Sequence, residues 1–418
     1  MVRRCATGHS RCGRVRLESF SLIDDFTAWR SGADVLVFGF VTSTPRWQAL
    51  DYLRGLSIFF MLLNLNGGSW EHAYAWLEHA QWEGGHFIDL VAPVFLFCIG
   101  LALPFSLGRR LGQGATRGNL LRHVLVRTVL LVAIGLFLNG YPSFDLAHLR
   151  IPGVLQRIGL TYGFVAAFVI ATMRVDGTVN VRAVVLFTAT ILLSYYALLQ
   201  WVPVPNFGAP RFDPVGSWPA VIDRAVFTPA HMFPYWPVDG RIEFDPEGIV
   251  STWPACANIL IGVLVGARYQ RGMRRPVAGL SIFGAGLMVT AIALQPFCPI
   301  IKNIWTPTFV LFTCGFGMAM LAVLTVCERS RVATMLLYSA KVYGSNALLA
   351  YMISFLLAPI FDAAIFPGEL HSFRNACFVF FSSIASPNLA SLLAGIVLVS
   401  IILAPLILCY RRRWFLKL

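Results

Sequence analysis

The sequence predicts an all-α polytopic membrane protein, a bundle of about ten transmembrane helices with its N- and C-termini in the cytosol. Three observations carry that expectation. Hydrophobic residues make up 57% of the 418 and charged residues 13%, with a mean hydropathy of +0.70. A soluble domain averages about 45–50% apolar and about 25% charged. The apolar residues gather in runs of roughly twenty that do not alternate, which selects helices over a closed barrel. The basic residues cluster in the short segments between those runs, as the positive-inside rule requires.

Residues 1–43 differ from the rest, being arginine-rich with one modest apolar patch at 35–41 and no apolar core ending in a small-residue cleavage site. They read as a disordered cytosolic tail or a mis-called start upstream of Thr44-Pro45-Arg46-Trp47, and 44–418 as a single transmembrane domain. The expected spans lie near 50–66, 87–107, 123–140, 151–172, 181–201, 249–267, 276–295, 305–327, 338–360 and 387–410. The stretch 376–384 is too short to cross and is expected along the interface. An even number of spans puts both ends on one side. Every loop this places in the cytosol is rich in arginine: Arg109, Arg110, Arg117 and Arg122; Arg174 and Arg182; Arg268, Arg271, Arg274 and Arg275; Arg329 and Arg331; Arg411, Arg412 and Arg413. The exterior loop 202–248 carries Asp213, Asp223, Asp239, Glu243, Asp245 and Glu247 against Arg211, Arg224 and Arg241. Its nine prolines keep it from being helical throughout, and it sits where a lid over an exterior pocket would sit.

The net charge of +13 follows from these orienting clusters, so no nucleic-acid partner is expected and the bilayer is. Nine cysteines without a CxxC pair read as small buried hydrophobes. No metal is expected: His72, His79 and His86 fit no ligand spacing on one helix face.

His79, in His79-Ala80-Gln81-Trp82-Glu83-Gly84-Gly85, is the leading chemical candidate, a titratable and nucleophilic imidazole between two spans at the exterior face. Six of the eight histidines fall on that side, and a surface histidine is the plain alternative for each, His231 included. Charges inside spans cost at least about 2.5–3.5 kcal/mol, so they face a cavity or a partner. Asp51 and Arg54, three apart, share a helical face and can form a structural pair or serve a site. Asp89 opens the second span, Gln156 and Arg157 lie in the fourth, and Lys341 and Asn346 open the ninth. Asn64 and Asn66 precede Gly67-Gly68, where they can hydrogen-bond an oxyanion or simply end the helix. Trp218, Tyr235 and Trp236 suit stacking on a sugar ring or interfacial anchoring.

Several motifs together resemble the transmembrane acetyltransferases typified by heparan-α-glucosaminide N-acetyltransferase, in a bacterial-type form. They are Leu50-Asp51-Tyr52-Leu53-Arg54-Gly55-Leu56, the His79 stretch followed by Asp89-Leu90-Val91 and Pro93, and Arg150-Ile151-Pro152-Gly153-Val154-Leu155-Gln156-Arg157. Asp245-Pro246-Glu247-Gly248, Trp305-Thr306-Pro307-Thr308-Phe309-Val310-Leu311 and Asn346-Ala347-Leu348-Leu349-Ala350-Tyr351 complete the set. The resemblance implies an acetyl-CoA co-substrate held from the cytosol, an amino-sugar or glycan acceptor on the opposite face, and His79 as the active histidine. It also implies an asparagine at the end of the first span. Ungapped counting puts that position at Leu65, between Asn64 and Asn66, and Asn66 is the better substitute.

On this reading the catalytic set is His79, Asn66, Asn64 and Asp89, with Asp89 orienting His79 if the loop folds back. Arg54, Arg127, Arg157 and Lys341 would hold the cofactor, since guanidinium groups match phosphate geometry. Asp51, Arg150, Gln156, His231, Glu247 and Trp305 would line the substrate side. His79 acts either as a general base or as a transient acyl carrier, the base needing fewer steps. A membrane transporter or flippase for a glycan or lipid precursor is the competing class, and release of free CoA separates the two. The expected location is the bacterial inner (plasma) membrane, with a homodimer as the alternative to a monomer.

Overall fold

A computed structural model describes residues 37–38, 47–174, 176–273, 275–366 and 371–417. Apart from 37–38, the expected N-terminal tail lies outside the described residues, as does Arg274. The long helices are α1 (Gln48–Leu65), α2 (Val91–Gly112), α3 (Arg117–Gly140), α4 (Val154–Thr172), α5 (Val181–Trp201), α7 (Ile249–Gln270), α8 (Pro276–Leu294), α9 (Pro307–Cys327) and α14 (Pro387–Arg411). Shorter ones are α6 (Trp218–Phe227), α10 (Arg331–Leu336), α11 (Tyr338–Ser345), α12 (Ala347–Asp362) and α13 (Phe373–Ser382). Two-residue strands, β1 (Val37–Phe38) and β2 (Leu416–Lys417), pair antiparallel.

The fold is therefore an all-α multi-pass membrane bundle. Helices occupy all ten expected segments, but the expected count of ten spans is corrected. Among the described residues eight helices are long and apolar enough to cross: α2 with the turn from Phe87, α3, α4, α5, α7, α8, α9 and α14. The count becomes nine if α11 and α12, bent by 89°, form one span. The first expected span, α1, falls short in composition because Gln48, Asp51, Arg54 and Asn64 interrupt its apolar run. At 18 residues it is still about 27 Å long. Near the break between α11 and α12, Asn346 donates to the Trp414 carbonyl and accepts from Leu416 N–H, so the polar groups freed there are partly satisfied by the C-terminal segment.

Local sequence explains the boundaries. Proline at the first or second position opens α6, α8, α9 and α14, where its missing N–H would be unpaired anyway. Thr116, Asn180, Ser330 and Ser372 cap α3, α5, α10 and α13 through side-chain oxygens. The centre is built from α7 and α2, 78% and 67% buried over their crossing windows, whereas α8 and α3 are 17% and 22% buried and face outward.

Between helices in lipid there is no hydrophobic driving force, so small residues that admit close backbone approach decide which helices pair. A Cβ on Gly100 of α2 would lie 2.0 Å from the Ile259 carbonyl oxygen of α7, and one on Gly262 would lie 2.2 Å from that of Phe97. Gly55 of α1 meets Ala340 in the same way at 1.6 Å, and Gly344 of α11 meets Asp51 at 2.1 Å.

The connecting segments gather at two faces. At the arginine-rich face, Arg117 donates to the Met173 carbonyl, Arg271 donates to that of Val179 at 3.1 Å, and Trp47 stacks on Tyr269 at 3.8 Å. At the other, Trp82 donates to the Phe212 carbonyl at 2.8 Å, Ile151 N–H donates to that of His231 at 3.0 Å, and Glu83 bridges to Ile301. The loop 202–248 covers this second face, with α6 resting on the start of α7. There the buried Asp223 accepts from Ile249 N–H at 3.0 Å through Oδ1, and a Cβ on Gly248 would meet its Oδ2 at 1.7 Å. Burial, opposed by the Ile249 hydrogen bond and reinforced by Asp245, pushes the Asp223 carboxyl up to about 7.

Two outcomes follow for stability in detergent. Gly262→Val should destabilise the bundle by about 1–3 kcal/mol or more through overpacking, while Gly286→Ala, which meets nothing within 4 Å, should not. Thermal unfolding followed by fluorescence reads both. The folded state holds the Asp223 proton to about pH 7, whereas the unfolded chain releases it near pH 4. Its stabilising share is thus present below about pH 4 and lost as pH rises to about 7. Asp223→Asn should flatten the melting temperature across that window, and an unchanged slope would exclude this carboxyl as its source.

Candidate active site

The loop between α1 and α2 is short of regular structure but rich in polar anchors, and the anchors converge on Asp89. This residue is buried in the single turn Phe87–Leu90 that leads into α2. Its Oδ2 accepts from His86 N–H at 2.9 Å and Ala80 N–H at 3.1 Å, which folds the loop back on itself. Its Oδ1 lies 2.6 Å from His79 Nδ1 and 3.3 Å from Lys302 Nζ, and Lys302 Nζ lies 2.7 Å from His79 Nδ1. Lys302 comes from the segment between α8 and α9, fixed to the His79 loop by Gly84 N–H donating to the Ile300 carbonyl at 2.8 Å. Trp236 of the loop 202–248 completes the group, edge-on to His79 at 5.4 Å between ring centres and 5.4 Å from Lys302 Nζ.

His79 remains 24% exposed while Asp89 is closed off, so the imidazole is the accessible member of the pair. Burial, then the charge of Lys302, pushes His79 below its ordinary range, against the opposing hydrogen bond to Asp89. The ring is therefore neutral at physiological pH. With Nδ1–H turned to Asp89, Nε2 keeps its lone pair.

Beside this cluster lies a second layer of paired charge. Arg150 Nη2 donates to Asp245 at 2.7 Å and also to Glu247, and its guanidinium covers the Phe233 ring at 4.5 Å. Against the burial that would raise it, Arg150, Arg157 and Lys302 hold the Glu247 carboxyl below its ordinary range. Arg157, buried in α4, donates to Ser251 Oγ and lies over the Trp305 ring at 4.5 Å, while its Nε and Nη1 have no hydrogen-bond partner among the described residues. Trp305 is in turn fixed by Nε1 donating to Asn258 at 2.9 Å. Arg157, Glu247 and Trp305 share a cavity of about 20 Å³ with the apolar side chains Met61, Leu96 and Ile158.

The structure thus brings together His79, Asp89, Arg150, Arg157, Glu247 and Trp305. His231 and Gln156 stand behind them: His231 Nδ1 lies 2.8 Å from the Leu149 carbonyl oxygen, and Gln156 donates to that of Ile151 at 3.1 Å, so both shape the segment carrying Arg150. Asn64 and Asn66 have other partners. Asn64 donates to the Leu77 carbonyl at 2.7 Å, and Asn66 donates to Leu62 at 2.8 Å and to Ser354 Oγ at 2.7 Å. Arg54, paired with Asp51 at 3.0 Å, and Lys341, 3.4 Å from Gln48 Oε1, sit at the arginine-rich end of α1. Arg127, midway along α3, lies over the Tyr162 ring at 4.5 Å.

Lys302 escaped the reading of the motifs. One signal for it exists: it is the single charged residue between Arg275 and Glu328. Trp236, expected only as a stacking or anchoring residue, has a specific place against His79 that spacing could not give.

Comparison with known proteins adds a relationship. Residues 46–238 match the family described as heparan-alpha-glucosaminide N-acetyltransferase, catalytic. Over 333 residues the chain is 26% identical to heparan-alpha-glucosaminide N-acetyltransferase of Mus musculus, covering 68% of this chain and 49% of that one. Over 326 residues it is 27% identical to the Homo sapiens protein of the same name, covering 67% and 48%. The chain spans about half the length of the curated relatives it matches. His79, Asp89, Arg150, Arg157 and Trp236 fall inside the stretch matched by the family and Glu247, Lys302 and Trp305 beyond its end, and on sequence the chain is similar to the heparan-alpha-glucosaminide N-acetyltransferases.

Proposed function

We propose that the chain transfers an acetyl group from acetyl-CoA, held from the arginine-rich face, to the amine of an amino sugar or related glycan at the face carrying His79. The positive-inside rule makes the arginine-rich face cytosolic. The observation that carries the reading is the His79 imidazole with Nδ1 2.6 Å from the buried carboxylate of Asp89. That pairing fixes the tautomer and leaves Nε2 to take a proton from an attacking amine.

Arg54, Lys341 and Arg127 are suited to the phosphates of the nucleotide, being placed at the cytosolic end or midway along the bundle. The thioester would then approach His79 past the cavity lined by Arg157. Arg157 has two N–H groups without a hydrogen-bond partner among the described residues, and a donor at a developing oxyanion stabilises the tetrahedral intermediate. Asn64 and Asn66 are less suited to that role because their amide N–H groups already bond Leu77, Leu62 and Ser354. Trp236 and Tyr235, with the acidic residues of 202–248, offer an aromatic and anionic surface for a cationic sugar.

His79→Ala and His79→Gln should lower transfer by about 10²–10⁴-fold while leaving acetyl-CoA binding near normal. Release of free CoA in the presence of glucosamine-ended acceptors measures it, and turnover surviving in both variants would remove His79 from the mechanism. Because the His79 pKa lies below 6.5, the acid limb of kcat/KM should fall below pH 6.5, with activity lost only as pH drops through that lower value. Labelled acetyl-CoA incubated without acceptor should leave no label on the protein if the imidazole acts as base. Label that chases into an acceptor added later would instead establish the acetyl-histidine route.

A further inference from the structure

The contacts around His79 Nδ1 obey a constraint that fixes where the protons sit. All four contacts of Asp89, with Ala80, His86, His79 and Lys302, use its oxygens as acceptors. At 2.6 Å from Asp89 Oδ1, Nδ1 must therefore carry a hydrogen. Lys302 Nζ lies 2.7 Å from that same Nδ1. An ammonium has three donors and no acceptor, so placing one against an N–H sets donor against donor. A neutral amine resolves the conflict: its lone pair shares the single Nδ1–H with Asp89 Oδ1, and it donates one of its own hydrogens to that carboxylate at 3.3 Å.

The geometry points to Lys302 as a proton relay for His79, its neutral amine taking the Nδ1 proton as Nε2 takes one from the acceptor. The inference rests on the acetyltransferase reading. As the neutral acceptor amine forms the N–C bond to the thioester carbonyl carbon, its N–H proton passes to His79 Nε2, and Nδ1–H passes to Lys302, which becomes an ammonium. The tetrahedral adduct then breaks its C–S bond and the sulfur leaves as a thiolate. The relay runs in reverse: Lys302 returns its proton to Nδ1, and His79 Nε2–H is delivered to the sulfur as a thiol. One amide and one thiol result, and lysine and histidine end as they began.

The surroundings favour this cycle. Burial pushes Lys302 below its ordinary range and Arg157 adds to that, while Asp89 and Glu247 pull the other way and keep the ammonium within reach. His79 and Trp236 close the remaining side. Lysine suits the role because its pKa shifts readily on burial, whereas arginine stays charged.

Lys302→Arg separates a relay from a plain hydrogen-bond donor, since arginine keeps N–H donors beside Asp89 but stays charged and cannot accept a proton. We expect Lys302→Arg and Lys302→Met each to lower kcat by about 10²-fold, within the general acid–base range, with acetyl-CoA affinity within about threefold of the parent. Nitrogen-15 spectra of the His79 ring, assigned by difference from His79→Gln, should show hydrogen on Nδ1 in the parent. Lys302→Arg retaining activity within about threefold of the parent, or a parent ring with hydrogen on Nε2, would overturn the relay while leaving the acetyltransferase reading intact. A parent protein that releases no CoA with any amine would overturn that reading, and the relay with it.

Discussion

One buried carboxylate holds the candidate site together. Asp89 lies at the head of α2 with no exposed surface, and its two oxygens gather a loop of otherwise irregular backbone. A carboxylate near a helix N-terminus is favoured by the orphan N–H groups and the dipole there, but burial makes its desolvation expensive. The two backbone donors and Lys302 offset that penalty, and together they place His79 beside the carboxylate. Removing the carboxylate would release the loop, the lysine and the imidazole together.

The same logic extends outward from Asp89. Lys302 lies within reach of Glu247, Glu247 pairs with Arg150, and Arg150 also pairs with Asp245. Charges of alternating sign thus run from α2 through the segment before α9 to the loop 202–248. Buried pairs are weak sources of net stability but lose much when one partner is removed. The network therefore specifies one arrangement of three distant chain segments. It brings Trp236 over the imidazole, which a helical bundle alone would not do.

How much of this could be read from the residues depends on distance along the chain. Apolar runs located the helices because each run is a local property, and proline and cap residues explain several of their starts. Asp51 and Arg54 lower the apolarity of α1, which the sequence expectation counts as a span, below that of the other long helices. His79 and Asp89, ten apart, could be paired only on the condition that the loop folds back, and the Oδ2 bonds supply that fold. Lys302 was beyond reach because 223 residues separate it from His79. The asparagines at the end of α1 show the converse. Proximity in sequence to Gly67-Gly68 suggests an oxyanion role, and what spacing could not show is that Asn66 bonds Ser354 of α12 and Asn64 bonds the Leu77 carbonyl.

α1 ties the two faces of the bundle into one proposal. Its first turns carry Asp51 and Arg54, its last turn carries Asn64, and Met61 between them walls the cavity beside Arg157. That cavity, about 20 Å³, is large enough for roughly one water, which needs about 10–15 Å³. A pantetheine arm is many times larger, so under the proposed transfer the passage toward His79 would have to widen for donor to bind. The wall that must yield contains Met61, Ala92, Leu96, Val154 and Ile158, apolar groups whose contacts are lost gradually and without an orphaned polar group. The polar wall, Arg157 over Trp305 with Trp305 fixed to Asn258, would lose a hydrogen bond if it moved. Opening would therefore fall to the apolar wall supplied by α1, α2 and the start of α4, and closure behind the arm would return Arg157 to a dry environment in which its unpartnered N–H groups act most strongly on a carbonyl oxygen.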